Sequence, residues 1–472
     1  MIRMCLVVSV VLGVLAASAP AADKSDPEVI AIKAGRVYTM SGEPIDGGVV
    51  IIRAGRIEAI GRDLPIPEGA RVIARADGVV TPGLIDACCT LDPEIPEGAG
   101  GFSFEEGKPS LWRALGEYAA RPRDEEDDPL LPRTAAPGPL AAGMPVNLTW
   151  TEQSSEVTPH RLVIDSVNLL SNDFARLLKG GVTTVYASAD SSEVIGGRGA
   201  ILRTGGPLDG RVVRRSDAVK ASMGGDPSDR GLPNFLPPYY GPSPSILTRR
   251  PTTRMGVEWV FRKAFYDAER VRDGLAIHGA DMPPREAIPV LQQILAGEVP
   301  LRIQARMQHD IFTALRVAAE FHLKFTLEEA TEAYRCLPQL KAAGAPVILG
   351  PLYMTAEGYR GMTDEVRRPR LNSPRQLADA GIEFALTAQE MRDQEGLVRQ
   401  AMLAARNGLT TEQALRAVTV TPAAMLGLPD HAGTLVPGGV ADLVMWNAEP
   451  LEATSRPLAV LINGRVVLEE AN

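Results

Sequence analysis

Ser171-Asn172-Asp173-Phe174-Ala175-Arg176-Leu177-Leu178-Lys179-Gly180-Gly181-Val182-Thr183-Thr184-Val185-Tyr186-Ala187 holds the pattern that decides the fold. Ser171 to Leu178 reads as a helix. Gly180-Gly181 breaks it, and Val182 to Ala187 follows as an apolar, β-branched strand with no polar alternation. A strand buried on both faces needs layers on both sides, so one such unit asks for neighbours of the same kind.

The neighbours follow along the chain. Helix Ala287 to Leu295 leads into strand Val299 to Ile303, and helix Asp310 to Phe321 leads into Lys324 to Leu327. Helix Glu332 to Ala343 precedes Ala345-Pro346-Val347-Ile348-Leu349, and Gln376 to Ala380 precedes Ile382 to Leu386. Helices Leu397 to Asn407 and Thr411 to Val418 finish the region. Helix alternating with short buried strand predicts a parallel sheet, and repetition over this length predicts a closed (β/α)₈ barrel.

Outside that region the period changes. Val29-Ile30-Ala31-Ile32, Arg36-Val37-Tyr38-Thr39, Val49-Val50-Ile51-Ile52 and Arg56-Ile57-Glu58-Ala59-Ile60 are short strands between Gly-rich turns. Ala441-Asp442-Leu443-Val444-Met445-Trp446 and Leu458 to Val467 repeat the pattern at the other end. Neither end has enough strands for a sandwich of its own, so both are predicted to pair into one small β-sandwich. The expected organisation is α/β: a signal segment over 1–22, sandwich over 23–82 and 431–472, and barrel over 83–430. Loop-like insertions are expected near 95–150 and 205–255. The first holds the acidic run Asp124 to Asp128, which lacks the spacing of a calcium loop, and the second holds Pro237-Pro238-Tyr239-Tyr240.

Composition narrows the class. The chain has 472 residues, 45% of them hydrophobic, and a formal net charge of −9. That length and apolar share bury a large core, and the acidic balance without a basic tract argues against nucleic acid as a partner. Arg3, the apolar run Cys5 to Ala17 and Ala19-Pro20-Ala21 have the layout of a secretory signal cleaved before Ala22. The run is too short to span a bilayer. The expectation is an exported protein, periplasmic or secreted, with no membrane association after cleavage. Cys88, Cys89 and Cys336 then remain, an odd number; buried thiols are expected, with one bridge from Cys336 left open.

Val80-Thr81-Pro82-Gly83-Leu84-Ile85-Asp86, at the junction of the two regions, resembles the start of the barrel in the amidohydrolase superfamily, in its imidazolonepropionase-like branch. Gly181-Val182-Thr183-Thr184-Val185, Gly196-Gly197-Arg198-Gly199-Ala200, Thr331-Glu332-Ala333-Tyr334 and Ala345 to Pro351 are similar to later segments of that branch. So are Thr421 to Leu428, Gly433 to Val444 and Asn463-Gly464-Arg465. The resemblance covers most of residues 29–468 in the family's order. It implies a hydrolase of carbon–nitrogen bonds, in non-peptide or cyclic amides. In such an enzyme one or two divalent metals sit at the C-terminal mouth of the barrel and activate water, and an Asp on the last strand moves the proton.

The same resemblance implies that the ligand and base positions have changed. Cys88 and Thr90 stand where the first strand's His-x-His belongs, Gln304 and Glu329 where histidines of strands five and six belong, and Gln389 where the Asp belongs. A neutral amide is a weak zinc ligand and no general base, and two good donors rarely hold a catalytic ion. The five histidines, His160, His278, His309, His322 and His431, form no spaced pair that could replace them. No cofactor is therefore expected, with zinc or iron the choice if the site functions. Three readings stay open. The first is a non-catalytic relative, with or without a small-molecule ligand at the barrel mouth. The second is a hydrolase using altered ligands, or using Cys88 as nucleophile with Glu329 as base. The third is a secreted binding or scaffold module. A homo-oligomer is possible in each.

Overall fold

The strand-forming runs at the two chain ends do pair with each other. The structure is a computed structural model, which describes residues 29–91, 155–228, 251, 253–277, 282–352, 370–389 and 396–470. The signal segment, the stretch 95–150 with its acidic run, and Pro237 to Tyr240 lie outside the described residues.

The first five strands are β1 (Val29–Val37), β2 (Ile45–Asp46), β3 (Gly48–Arg53), β4 (Arg56–Arg62) and β5 (Arg71–Pro82). The barrel region carries β6 (Leu84–Cys89), β7 (Val182–Ala187), β8 (Ile195–Arg198), β9 (Ala200–Arg203), β10 (Val212–Arg214), β11 (Val219–Ser222), β12 (Leu301–Ala305), β13 (Phe325–Glu329), β14 (Val347–Leu349) and β15 (Phe384–Leu386). The chain closes with β16 (Leu443–Trp446), β17 (Pro457–Ile462) and β18 (Arg465–Glu469).

The terminal strands make one eight-stranded sheet in the order β18-β17-β16-β5-β1-β3-β4, with β2 added to β1. Its seam is the antiparallel pair β5·β16, where Leu443 lies opposite Pro82. The sheet curls until its ends meet: Ala441 N donates to Gly55 O, and the Gly55 backbone approaches Asn463 and Gly464. The curl encloses Ile30, Ile32, Val50, Ile52, Leu443, Met445 and Leu461 in a core of its own.

The barrel strands depart from the expected closed parallel ring. β6·β7 and β11 through β15 are parallel, but β9 runs antiparallel to β7 and β8 antiparallel to β11. The ladders therefore form a four-stranded sheet, β10-β9-β7-β6, and a six-stranded one, β15-β14-β13-β12-β11-β8. Only Gly199 separates β8 from β9. A Cβ there would come within 2.2 Å of the Tyr186 ring, so the glycine lets the chain step from one sheet to the other across that ring. The two sheets nonetheless share an interior. Ile85, Ala87, Tyr186 and Ile201 from one sheet touch Ile348 and Ala385 from the other, in a cluster floored by Ala423 and Leu426.

Helices cover the outside: α1 (Asn172–Lys179), α2 (Arg254–Arg272), α3 (Ala287–Leu295), α4 (Gln308–Glu320), α5 (Leu337–Ala343), α6 (Ser373–Ala380), α7 (Leu397–Arg406), α8 (Thr411–Arg416) and α9 (Val420–Met425). Ser171 caps α1 by accepting from Asp173 N at 3.1 Å. Gly181, after α1, sits at φ 78° with Trp446 filling the space a side chain would need. Two expectations are corrected. The single helix over Glu332 to Ala343 is a 3₁₀ turn, Ala333–Arg335, followed by α5, because Pro338 in the first turn has no N–H with which to continue a helix begun earlier. The stretch 205–255 is not loop throughout, since it holds β10 and β11. No helix among the described residues is long and apolar enough to cross a membrane.

Candidate functional site

Strand alternation delivers side chains to the interior. On β12, Leu301, Ile303 and Ala305 join the outer core, which sends Arg302 and Gln304 inward. On β11, Val219 and Ala221 face the outer core and Lys220 and Ser222 face in; on β13, Leu327 faces out and Glu328 in. Above the apolar floor the interior is thus charged.

Its lower tier centres on Glu328, which accepts from Lys220 Nζ and from Arg302 Nε. Arg302 also donates to Ala87 O and lays its guanidinium 3.8 Å from the centre of the Tyr186 ring. The Tyr186 hydroxyl donates to Ala218 O at 2.9 Å. Burial pushes the Glu328 carboxyl up, but Lys220 and Arg302 outweigh it and hold it below the usual carboxylate range. Burial likewise pulls the Lys220 ammonium down, and the neighbouring acidic groups, Glu328 first, more than offset it and raise it.

The upper tier lies at the strand ends. Arg306, just past β12, donates through Nε to Glu329 and through Nη1 and Nη2 to Asp226 Oδ1 and Oδ2 at 2.6 and 2.8 Å. Its side chain is 2% exposed and that of Glu329 is 3%. Gln304 Nε2 is 3.5 Å from Glu329; with its amide turned over, the Gln304 oxygen accepts from Arg306 at 3.3 Å. Glu329 and Ala330 sit at φ 66° and 44°, a left-handed turn that lets Glu329 face the interior beside Glu328.

The first and last strands meet beside this tier. Asp86 accepts from Cys88 N at 3.0 Å and Ala388 N at 3.0 Å, and the Thr387 hydroxyl lies 2.6 Å from both Asp86 Oδ1 and Cys88 O. Gln389, at φ 54°, donates its backbone N–H to Thr387 Oγ1 at 3.1 Å.

The sequence-derived positions therefore gather. Gln304 touches Glu329, Cys88 feels Glu328 and Glu329 electrostatically, and Gln389 is tied to Cys88 through Thr387. Thr90 is buried two residues beyond Cys88. The Cys88 thiol is pushed far up, first by burial and then by Glu328. A thiol nucleophile needs the reverse. Cys88, Cys89 and Cys336 are all buried and none is in a disulfide, so the bridge left open for Cys336 is not made. His309, His322 and His431 are exposed, His160 is half-buried, and His278 lies outside the described residues.

Sequence reasoning missed Lys220, Asp226, Arg302, Arg306 and Glu328. Its available signal was period-two spacing: Arg302, Gln304 and Arg306 are polar residues alternating with apolar ones along and just beyond a strand read as buried.

A divalent metal does not fit this donor set. Glu329 and Asp226 are engaged by a guanidinium, and Thr90, Gln304 and Gln389 are neutral. Among the described residues no three of His, Cys, Asp and Glu come together as a metal site.

Comparisons with known proteins agree with the architecture. The model of the amidohydrolase family Amidohydro_3 matches residues 380–468. Amidohydrolase tasK of Hapsidospora irregularis is 24% identical over 352 residues; the match takes in 70% of this chain but spans only 35% of that protein's length. The imidazolonepropionase of Anaeromyxobacter dehalogenans is 24% identical over 458 residues, covering 92% of this chain and 94% of that one. An amidohydrolase from Thermotoga maritima superposes with a TM-score of 0.70 at 25% identity, covering 93% of this chain and all (100%) of the other. By these likenesses the chain is similar to members of the amidohydrolase superfamily, imidazolonepropionases among them.

Proposed function

We propose that this chain is an exported amidohydrolase-superfamily protein in which metal-activated hydrolysis has been lost and the barrel mouth is held together by internal ion pairs. The two curved sheets are read as one (β/α)₈ barrel, with β8 and β9 sharing the place of the third strand. Cys88, Thr90, Gln304, Glu329 and Gln389 are read as the family's altered ligand and base positions.

The observation that carries this reading is Arg306. A permanently charged guanidinium, buried and paired with Glu329 and Asp226, occupies the anionic donors that a metal would need. Water activation at neutral pH requires a cation that lowers the water's pKa, and a guanidinium has no open coordination position to do so. The hydrolytic alternative through Cys88 has against it a thiol that burial pushes up.

Elemental analysis of the purified mature protein, alongside hydrolysis assays on cyclic amides, hydantoins and dipeptides, tests the reading. The expected result is substoichiometric metal and no turnover. Stoichiometric zinc or iron together with hydrolysis of any of these substrates overturns it.

A further inference from the structure

Three oxygen-bearing side chains converge on one guanidinium at the barrel mouth. Glu329 ends β13, Gln304 lies on β12, and Asp226 comes from the 3₁₀ turn Asp226–Ser228 that follows β11. With its amide turned over, the Gln304 oxygen faces the Arg306 guanidinium at 3.3 Å. Gln304 and Glu329 are buried, and the Asp226 side chain is 21% exposed. All three donors are hard oxygens, two of them anionic, which is the chemistry that takes manganese, calcium or magnesium rather than a soft-thiolate metal.

We infer that the Arg306 guanidinium is the resident cation of the barrel mouth, filling a latent divalent-cation site formed by Glu329, Asp226 and Gln304. It neutralises Glu329 and ties the segment after β11 to the ends of β12 and β13, as a bound ion would. This deepens the proposed loss of the metal and rests on it. The left-handed turn at Glu329 and Ala330 belongs to the same device, because it aims Glu329 at the guanidinium in spite of its backbone cost. Removing the guanidinium leaves Glu329 buried without that counter-charge, a penalty that either protonation or a new cation relieves.

The test compares three EDTA-treated proteins: wild type, Arg306→Ala, and Arg306→Ala with Glu329→Gln. Thermal midpoints are read by circular dichroism with and without millimolar MnCl₂. Wild type is expected to show no manganese-dependent shift. Arg306→Ala is expected to melt several degrees lower in EDTA and to recover at least half of that loss with manganese, by binding linkage. The double variant is expected to melt higher than the single one in EDTA and to ignore manganese. An Arg306→Ala protein as stable as wild type, or a wild type that gains as much from manganese as the single variant, overturns the inference. Should Arg306→Ala fail to fold, the double variant decides: folding restored by Glu329→Gln supports a charge role, and equal failure refutes it. Stoichiometric metal with hydrolysis in the untreated wild type would instead sink the proposed function, so the two failures read differently.

Discussion

The Thr387 hydroxyl lies 2.6 Å from the carboxylate of Asp86, a residue 301 positions earlier in the chain. The contact joins β15 to β6 where no backbone ladder pairs them. Two side chains thus do at this seam what N–H···O=C bonds do within the two sheets.

Asp86 is 1% exposed and accepts two backbone N–H groups as well as facing Thr387. Asp86→Ala strands those donors, at a cost of about 2–4 kcal/mol, whereas Thr387→Val removes one hydroxyl and costs about 1–2 kcal/mol. Urea denaturation measures both; equal losses would mean that the seam is held by packing instead.

Glu328 balances two cations, Lys220 and Arg302. Glu328→Gln leaves both buried without it and should cost about 3–5 kcal/mol. Lys220→Met leaves Arg302 paired with Glu328 and should cost less than about 2 kcal/mol. The reverse order in denaturant midpoints would refute this assignment of charge.

The pH dependence follows from the same carboxylate. Its folded-state pKa lies below the unfolded value, so its contribution is present above the ordinary glutamate range and lost as pH falls below it. Wild-type stability should therefore decline steadily between about pH 5 and pH 3, and more steeply than that of Glu328→Gln. Parallel declines would show that other carboxylates carry the acid sensitivity.

Cys88, Cys89 and Cys336 are buried, with the Cys336 thiol pushed up to about 12 by burial and then by Glu332. A disulfide reagent at mildly alkaline pH should leave all three unmodified in the folded protein and label them after addition of urea, as followed by peptide mass. Rapid native labelling of Cys88 would revive the nucleophile reading.

Gly199→Ala puts a methyl group against the Tyr186 ring that carries Arg302, so a loss of about 1–3 kcal/mol is expected in a melt or urea titration. A neutral outcome would mean that the step between β8 and β9 can shift.

Alternation and composition alone sufficed for the β-domain built from both chain ends and for the succession of buried strands, because those features follow from local propensity and from the need to cover apolar faces. The family resemblance, not alternation, marked Cys88, Gln304, Glu329 and Gln389, of which Gln304 lies beside Glu329 and Gln389 is linked to Cys88 through Thr387. Only the tertiary structure decided what the site contains. Lys220, Asp226, Arg302, Arg306 and Glu328 are scattered over more than a hundred residues of sequence, and charged residues read singly look like solvent-facing ones. Their pairing depends on strand register, on the antiparallel step at Gly199, and on the turn at Glu329 that aims two consecutive glutamates the same way. Charge compensation acts through space, and a linear chain does not display which charges will be neighbours.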